Sequence, residues 1–114
     1  MPRVTPIPAV LTLAARQCSP GAPQLAADQL RDRLASLPGW THAGSRIEKT
    51  FHFADYRRTI AFVNAVASVA EAEDHHPDLA VHYDRCTVAW STHSAHGVTL
   101  NDCICAAKVE SLAA

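Results

Sequence analysis

No stretch of this chain approaches the roughly 20 consecutive apolar residues that a membrane span requires, and neither sign of charge dominates. Ten Lys and Arg stand against eleven Asp and Glu, a formal net charge of −1 over 114 residues. That balance supplies no basic field for nucleic acid and no charge block for a membrane surface. Cys-x-x-Cys and helical His-x-x-x-His, the spacings that would announce a zinc site, are both missing. There is no internal repeat, no low-complexity tract, and no acidic residue before Asp28. Val4 to Ala15 is apolar behind Arg3, but Pro6 and Pro8 interrupt it, and Gln17-Cys18-Ser19 is a poor small-residue cleavage site for a secretion signal.

What is present suits one compact domain with its own core. The chain is 48% hydrophobic and 18% charged, ordinary for a globular protein, and a domain of this length needs no metal or disulfide staple. The four cysteines form no framework. Cys103 and Cys105 fall in a helical run, where a spacing of two residues turns the side chains about 200° apart. They are expected to be reduced thiols in a cytoplasmic setting. Histidine is the compositional outlier, with seven residues.

Residues 1–22 hold four of the seven prolines and show no helical or strand period, which predicts an arm with little fixed structure. A domain over residues 23–114 follows. Ala27, Leu30, Leu34 and Leu37 make one apolar stripe and predict a helix over about 24–37, begun at Pro23 and stopped by Pro38-Gly39. A short strand at 40–42 and a second at 46–53 come next; Ile47, Phe51 and Phe53 share a face with Lys49 as the polar exception. Asp55 caps a long helix to about Glu73, whose ridges Ile60, Val63, Ala67, Ala70 and Phe62, Val66, Val69 form a broad stripe suited to covering a sheet. Strands at about 80–84 and 86–93 follow, the second turning Cys86, Val88 and Trp90 to one face. Thr99 then begins a last helix over about 100–112, with Asp102 placed for a capping box. The order αββαββα predicts an α+β two-layer domain, a four-stranded antiparallel sheet with three helices on one face.

The densest polar feature is Glu71-Ala-Glu73-Asp74-His75-His76-Pro77, at the end of the apolar helix, with His93 at the end of a strand. Imidazoles titrate near neutrality and can give and take protons within one turnover. A neighbouring carboxylate fixes an imidazole's tautomer, and Glu71, Asp74 and Asp102 are the candidates. The plain alternatives are a polar helix terminus whose charge suits the helix dipole, and for Asp102 a simple cap. Zinc held by the three histidines is a chemical rival, although adjacent His75 and His76 point in different directions.

At these residues the sequence resembles the pterin-4a-carbinolamine dehydratase family. The shared pattern is an acidic residue, three residues, His-His-Pro, an aromatic, Thr-His and a downstream Asp. It appears here as Glu71, His75-His76-Pro77, Tyr83, Thr92-His93 and Asp102. Pro38-Gly39-Trp40 and Phe51-x-Phe53 also match, and the resemblance spans about residues 25–112. It implies a cytoplasmic dehydratase that converts 4a-hydroxytetrahydropterin to quinonoid dihydropterin and water, recycling a tetrahydrobiopterin-type cofactor, with no cofactor or metal of its own. By position, His75 and His93 would be the acid and base, and His76 a pterin-binding imidazole. Glu71, Asp74, Pro77, Tyr83, Thr92 and Asp102 would support the site or the substrate. The resemblance further implies a homodimer or homotetramer with a small-molecule pterin substrate, without direct nucleic-acid or membrane contact. An alternative role it carries is that of a dimerisation cofactor binding a transcription factor. Two local departures, His96-Gly97-Val98-Thr99 in place of a Gly-Gly-Leu-Thr-like turn and Asn101 in place of a basic residue, border the site and bear on substrate preference.

Overall fold

In a computed structural model, residues 8–113 are described. Two antiparallel hairpins, β1 (Thr41–Ala43) with β2 (Arg46–His52), and β3 (Asp78–Val81) with β4 (Arg85–Trp90), join into one sheet of order β1-β2-β4-β3. The central pairing of β2 with β4 runs from Ile47 opposite Trp90 to His52 opposite Arg85. This register puts Ile47, Phe51, Cys86, Val88 and Trp90 on a buried face, as the period-two pattern requires. Helices α1 (Pro8–Ala14), α2 (Ala27–Ala35), α3 (Tyr56–Glu73) and α4 (Leu100–Ala113) complete the fold. The two-layer α+β architecture and its four antiparallel strands are those the sequence pattern predicts.

Helix α3 starts where Asp55 accepts a bond from the Arg58 N–H at 2.9 Å, and it buries Thr59, Phe62, Val66 and Ala70. Helix α4 is apolar nearly all round, with Asp102 to Ala107 and Val109 fully enclosed. Such a helix must be covered on several sides, which is why Cys103 and Cys105, pointing apart, are both buried. The polar exception Lys49 reaches the α4 carboxylate of Glu110, which also accepts from the Trp40 indole N–H at 2.9 Å. Lys49 Nζ also donates to the Pro38 carbonyl, at 3.0 Å. Gly39 has φ +86° beneath this lysine, and a Cβ there would lie 2.8 Å from Lys49 Cε; both demands call for glycine.

Several boundaries differ from the sequence expectation. The segment 8–22 is not a structureless arm: Pro8–Ala14 is helical, Val10 and Leu13 are buried, and Lys108 Nζ donates to the Ala14 carbonyl at 2.7 Å. A seven-residue helix has little stability alone; the outer face of α4 stabilises it by tertiary contact, a partner no local period reveals. Residues 1–7 of that arm lie outside the described residues. Helix α2 begins three residues later than the stripe suggests, because Gln24 bridges Thr99 and the Leu25 N–H donates to Val98 O at 2.8 Å. Strand β3 sits earlier than predicted, directly after Pro77. Strand β4 ends at Trp90, since Thr92 folds back onto Gly97 around the single 3₁₀ turn His93–Ala95. His93 therefore stands on a tight loop rather than on a strand.

Candidate active site

The end of α3 delivers the histidine pair. Asp74 adopts a left-handed conformation (φ +49°) as the C-cap, and Pro77 prevents further helix. The turn directs His75 inward, its side chain 16% exposed, and leaves His76 exposed. Beneath His75 the Trp90 ring lies nearly parallel, with centroids 5.5 Å apart and an interplanar angle of 19°.

Asp102 is the hub. Its carboxylate is fully buried, and such a charge needs several donors to offset its lost hydration. It has three: His75 Nε2 at 2.6 Å on one oxygen, and the Thr92 hydroxyl at 2.9 Å and the Thr99 backbone N–H at 2.8 Å on the other. The last bond is the capping-box half predicted for α4. The Thr99 hydroxyl, though, pairs with Thr92 Oγ1 at 2.9 Å, so capping and site support share one side chain. Because an ionised carboxylate only accepts, Nε2 of His75 carries a proton, which leaves Nδ1 as the nitrogen that can exchange one. The same logic applies at the surface, where Glu71 accepts from His76 Nε2 at 2.8 Å.

Thr92 immediately precedes His93, so the Asp102 network ties the loop bearing His93 to the helix end bearing His75 and His76. Asp74 lines a cavity of about 210 Å³ beside His75, whose other walls are residues 18–20, Glu73 and Asn101. Pro77 is half-buried between the pair and β3. Tyr83 is not brought to this group. It is 66% exposed on the β3–β4 turn, stacked on Tyr56, and its carbonyl accepts from Thr59 near the start of α3. The helix length from Thr59 to Glu73 is roughly 20 Å. The reason is topological: β3 carries the chain away from the histidines before the turn. His42, His52, His82 and His96 are exposed. Among the described residues, no three His, Cys, Asp or Glu side chains are grouped as a metal-ligand set.

Sequence reasoning did not pick out Trp90 as the floor under His75, whereas it did set Thr99 and Asn101 at the border of the site. For Trp90 the signal was available, since it shares the inward face of β4, but that face also reads as plain core.

A histidine–carboxylate cluster at one end of a helix-covered antiparallel sheet defines a small α+β protein equipped for proton transfer. A family profile described as "Pterin 4 alpha carbinolamine dehydratase" matches residues 23–112. The chain belongs to that family. It is 49% identical to a Chromobacterium violaceum protein over 104 residues, 90% of this chain and 96% of that one. It is 57% identical to a Xanthomonas campestris protein over 86 residues, 74% of this chain and 73% of the other. Both are named for pterin-4-alpha-carbinolamine dehydratase, provisionally. A crystal structure titled as a transcriptional coactivator/pterin dehydratase from Brucella melitensis superposes with a TM-score of 0.77 at 32% identity, covering 80% of this chain and 99% of that one. A pterin dehydratase-like protein identified as a RuBisCO assembly factor in the alpha-carboxysome shares the fold, with a TM-score of 0.55 at 23% identity over 65% of this chain and 86% of that one.

Proposed function

We propose that this protein dehydrates 4a-hydroxytetrahydropterin to quinonoid dihydropterin and water, serving cofactor recycling in the cytoplasm. The observation that carries the proposal is the buried Asp102 carboxylate, which joins His75 to the Thr92-His93 loop. Loss of the 4a-hydroxyl needs a proton at the departing oxygen and removal of another from the pterin ring, with no net electron transfer. His75, held by Asp102 with one nitrogen free, suits one of these roles, and His93 the other. His76, tethered to Glu71, suits binding of the heterocycle. Each positioned acid or base is typically worth about 10²–10⁴-fold in rate.

Stopped-flow dehydration of 4a-hydroxytetrahydropterin is the test. His93→Ala is expected to lower kcat by about 10²–10⁴-fold, and a chelator to leave the wild-type rate unchanged. Full activity in His93→Ala would overturn the assignment.

The second reading, a protein-binding cofactor, draws on an open groove lined by Ala65, Val69, Ala72 and Leu112 between α3 and α4. The same groove suits the homodimer or homotetramer expected of the family. Sedimentation of Val69→Glu separates these: a smaller assembly with unchanged turnover assigns the groove to self-association.

A further inference from the structure

Where the N-terminal segment crosses the outer face of α4, two thiols meet. The Cys18 sulfur lies 3.5 Å from the Cys105 sulfur, although the residues are 87 apart in the chain. We propose that Cys18 and Cys105 form a redox site, at which a small-molecule disulfide oxidises the pair to an intramolecular disulfide that fastens the N-terminal segment to α4. This goes beyond the dehydratase reading and does not depend on it.

Polar anchors on either side hold Cys18 against its partner. The Cys18 N–H donates to Glu73 Oε1 at 2.7 Å. The Ser19 N–H donates to Asn101 Oδ1 at 3.0 Å, and Asn101 Nδ2 donates back to the Ser19 carbonyl at 2.8 Å. One side-chain amide thus satisfies both polar groups of one backbone residue, as a neighbouring strand would. Upstream, Lys108 Nζ donates to the Ala14 carbonyl at 2.7 Å. Asn101, Cys105 and Lys108 follow one another along α4 at helical spacing, so they share a face, and the segment lies along it. Cys103, two residues from Cys105, projects about 200° away around the helix. The sulfurs of the pair are already in contact, so bond formation calls for side-chain rotation rather than an encounter between distant segments.

The two thiols differ in access, which fixes the order of the steps. Cys18 is half-buried and lines the cavity of about 210 Å³ at the end of α3. Cys105 is fully enclosed and outside that lining. The Cys18 thiolate therefore attacks the external disulfide first, forming a mixed disulfide and releasing one small thiol. The Cys105 thiolate then attacks the Cys18 sulfur of the mixed disulfide and expels the second small thiol. Two electrons pass from the protein to the reagent, and the two protein protons end on the released thiols. An excess of reduced small thiol drives the same steps backwards. Burial first, and then the Glu73 carboxylate, push the Cys18 thiol up to about 11, against the opposing pull of the Cys105 hydrogen bond and the Lys108 charge. Exchange is therefore slow near neutrality, and a reducing pool keeps the pair as thiols.

The test uses the full native chain as wild type, Cys18→Ser and Cys105→Ala, each incubated for hours with oxidised glutathione at about pH 9, where thiolate is available for exchange. Intact mass, peptide mapping and thermal melts are the readouts. Wild type is expected to lose two hydrogens without retaining glutathione and to give a linked Cys18–Cys105 peptide on digestion. It should also melt roughly 10 °C higher, because closing a long loop constrains the unfolded chain. Dithiothreitol should reverse all three changes. Cys105→Ala should instead retain glutathione on Cys18, whereas Cys18→Ser should stay unmodified, its melting temperature indifferent to the reagent. A lasting glutathione adduct on wild-type Cys18, a link through Cys86 or Cys103, or a linked wild type that melts no higher would overturn the proposal. So would a wild type that keeps all its thiols while the same reagent oxidises the urea-unfolded chain.

Discussion

Asp102 does two jobs with two oxygens. One oxygen fixes the tautomer of His75; the other accepts from Thr92 and from the first turn of α4. Asp102→Asn can keep an acceptor toward the Thr99 N–H, but its amide would face His75 with a donor and force the opposite tautomer. Turnover is therefore expected to fall about 10²-fold or more, with a modest loss of stability. Asp102→Ala should add the loss of a cap, about 1 kcal/mol. Stopped-flow rates and thermal melts on the two variants check this, and equal rates in Asn and wild type would sink it. Trp90 supports His75 from below, and its buried indole N–H has no hydrogen-bond partner. Trp90→Phe keeps an aromatic floor and removes that unsatisfied donor, so it should retain most activity, whereas Trp90→Ala should cost about 3–5 kcal/mol.

At the scale of elements, the turn from α2 into β1 and the docking of α1 are the sensitive points. Gly39→Ala introduces a Cβ at φ +86° and against Lys49. It should cost about 1–2 kcal/mol from the backbone alone, read as a lower denaturant midpoint with an unchanged slope. Leu13→Ala removes a buried side chain from α1 and should cost about 2 kcal/mol or more; no change in the midpoint would mean that α1 does not dock in solution. Elements with a long period were legible from sequence: α3 from its apolar ridges and Asp55 cap, α4 from Thr99 and Asp102. Helix α1 was not, because seven residues carry too short a pattern and its stability comes from α4. The end of β4 was also hidden, since the Thr92–Gly97 pairing that curls His93 into a turn is a backbone event with no side-chain signature.

Across the whole molecule the thiols set an alkaline limit. Burial pushes Cys18 up to about 11 and Cys103 up to about 12 from the ordinary 9.0, and raises Cys86 and Cys105 as well. A folded-state value above the unfolded one means the native state holds the proton longer. The resulting stability is complete below about pH 9 and is lost as pH climbs through the folded values. Each thiol contributes a slope of at most about 1.4 kcal/mol per pH unit. The melting temperature should fall from pH 9 to 11, less steeply in Cys103→Ala; parallel curves for the two proteins would contradict this.

The sequence by itself determined the layered α+β plan, the helix bearing the histidine pair, and the residue types for proton transfer, because hydrophobic period and capping chemistry are local properties. Tertiary structure alone decided that Asp102 reaches His75, that Trp90 lies beneath that ring, that Tyr83 sits at the other end of α3, and that Ser19 is clasped by Asn101. Those facts depend on contacts between residues far apart in the chain, fixed only when α4 packs on the sheet and draws the N-terminal segment over it.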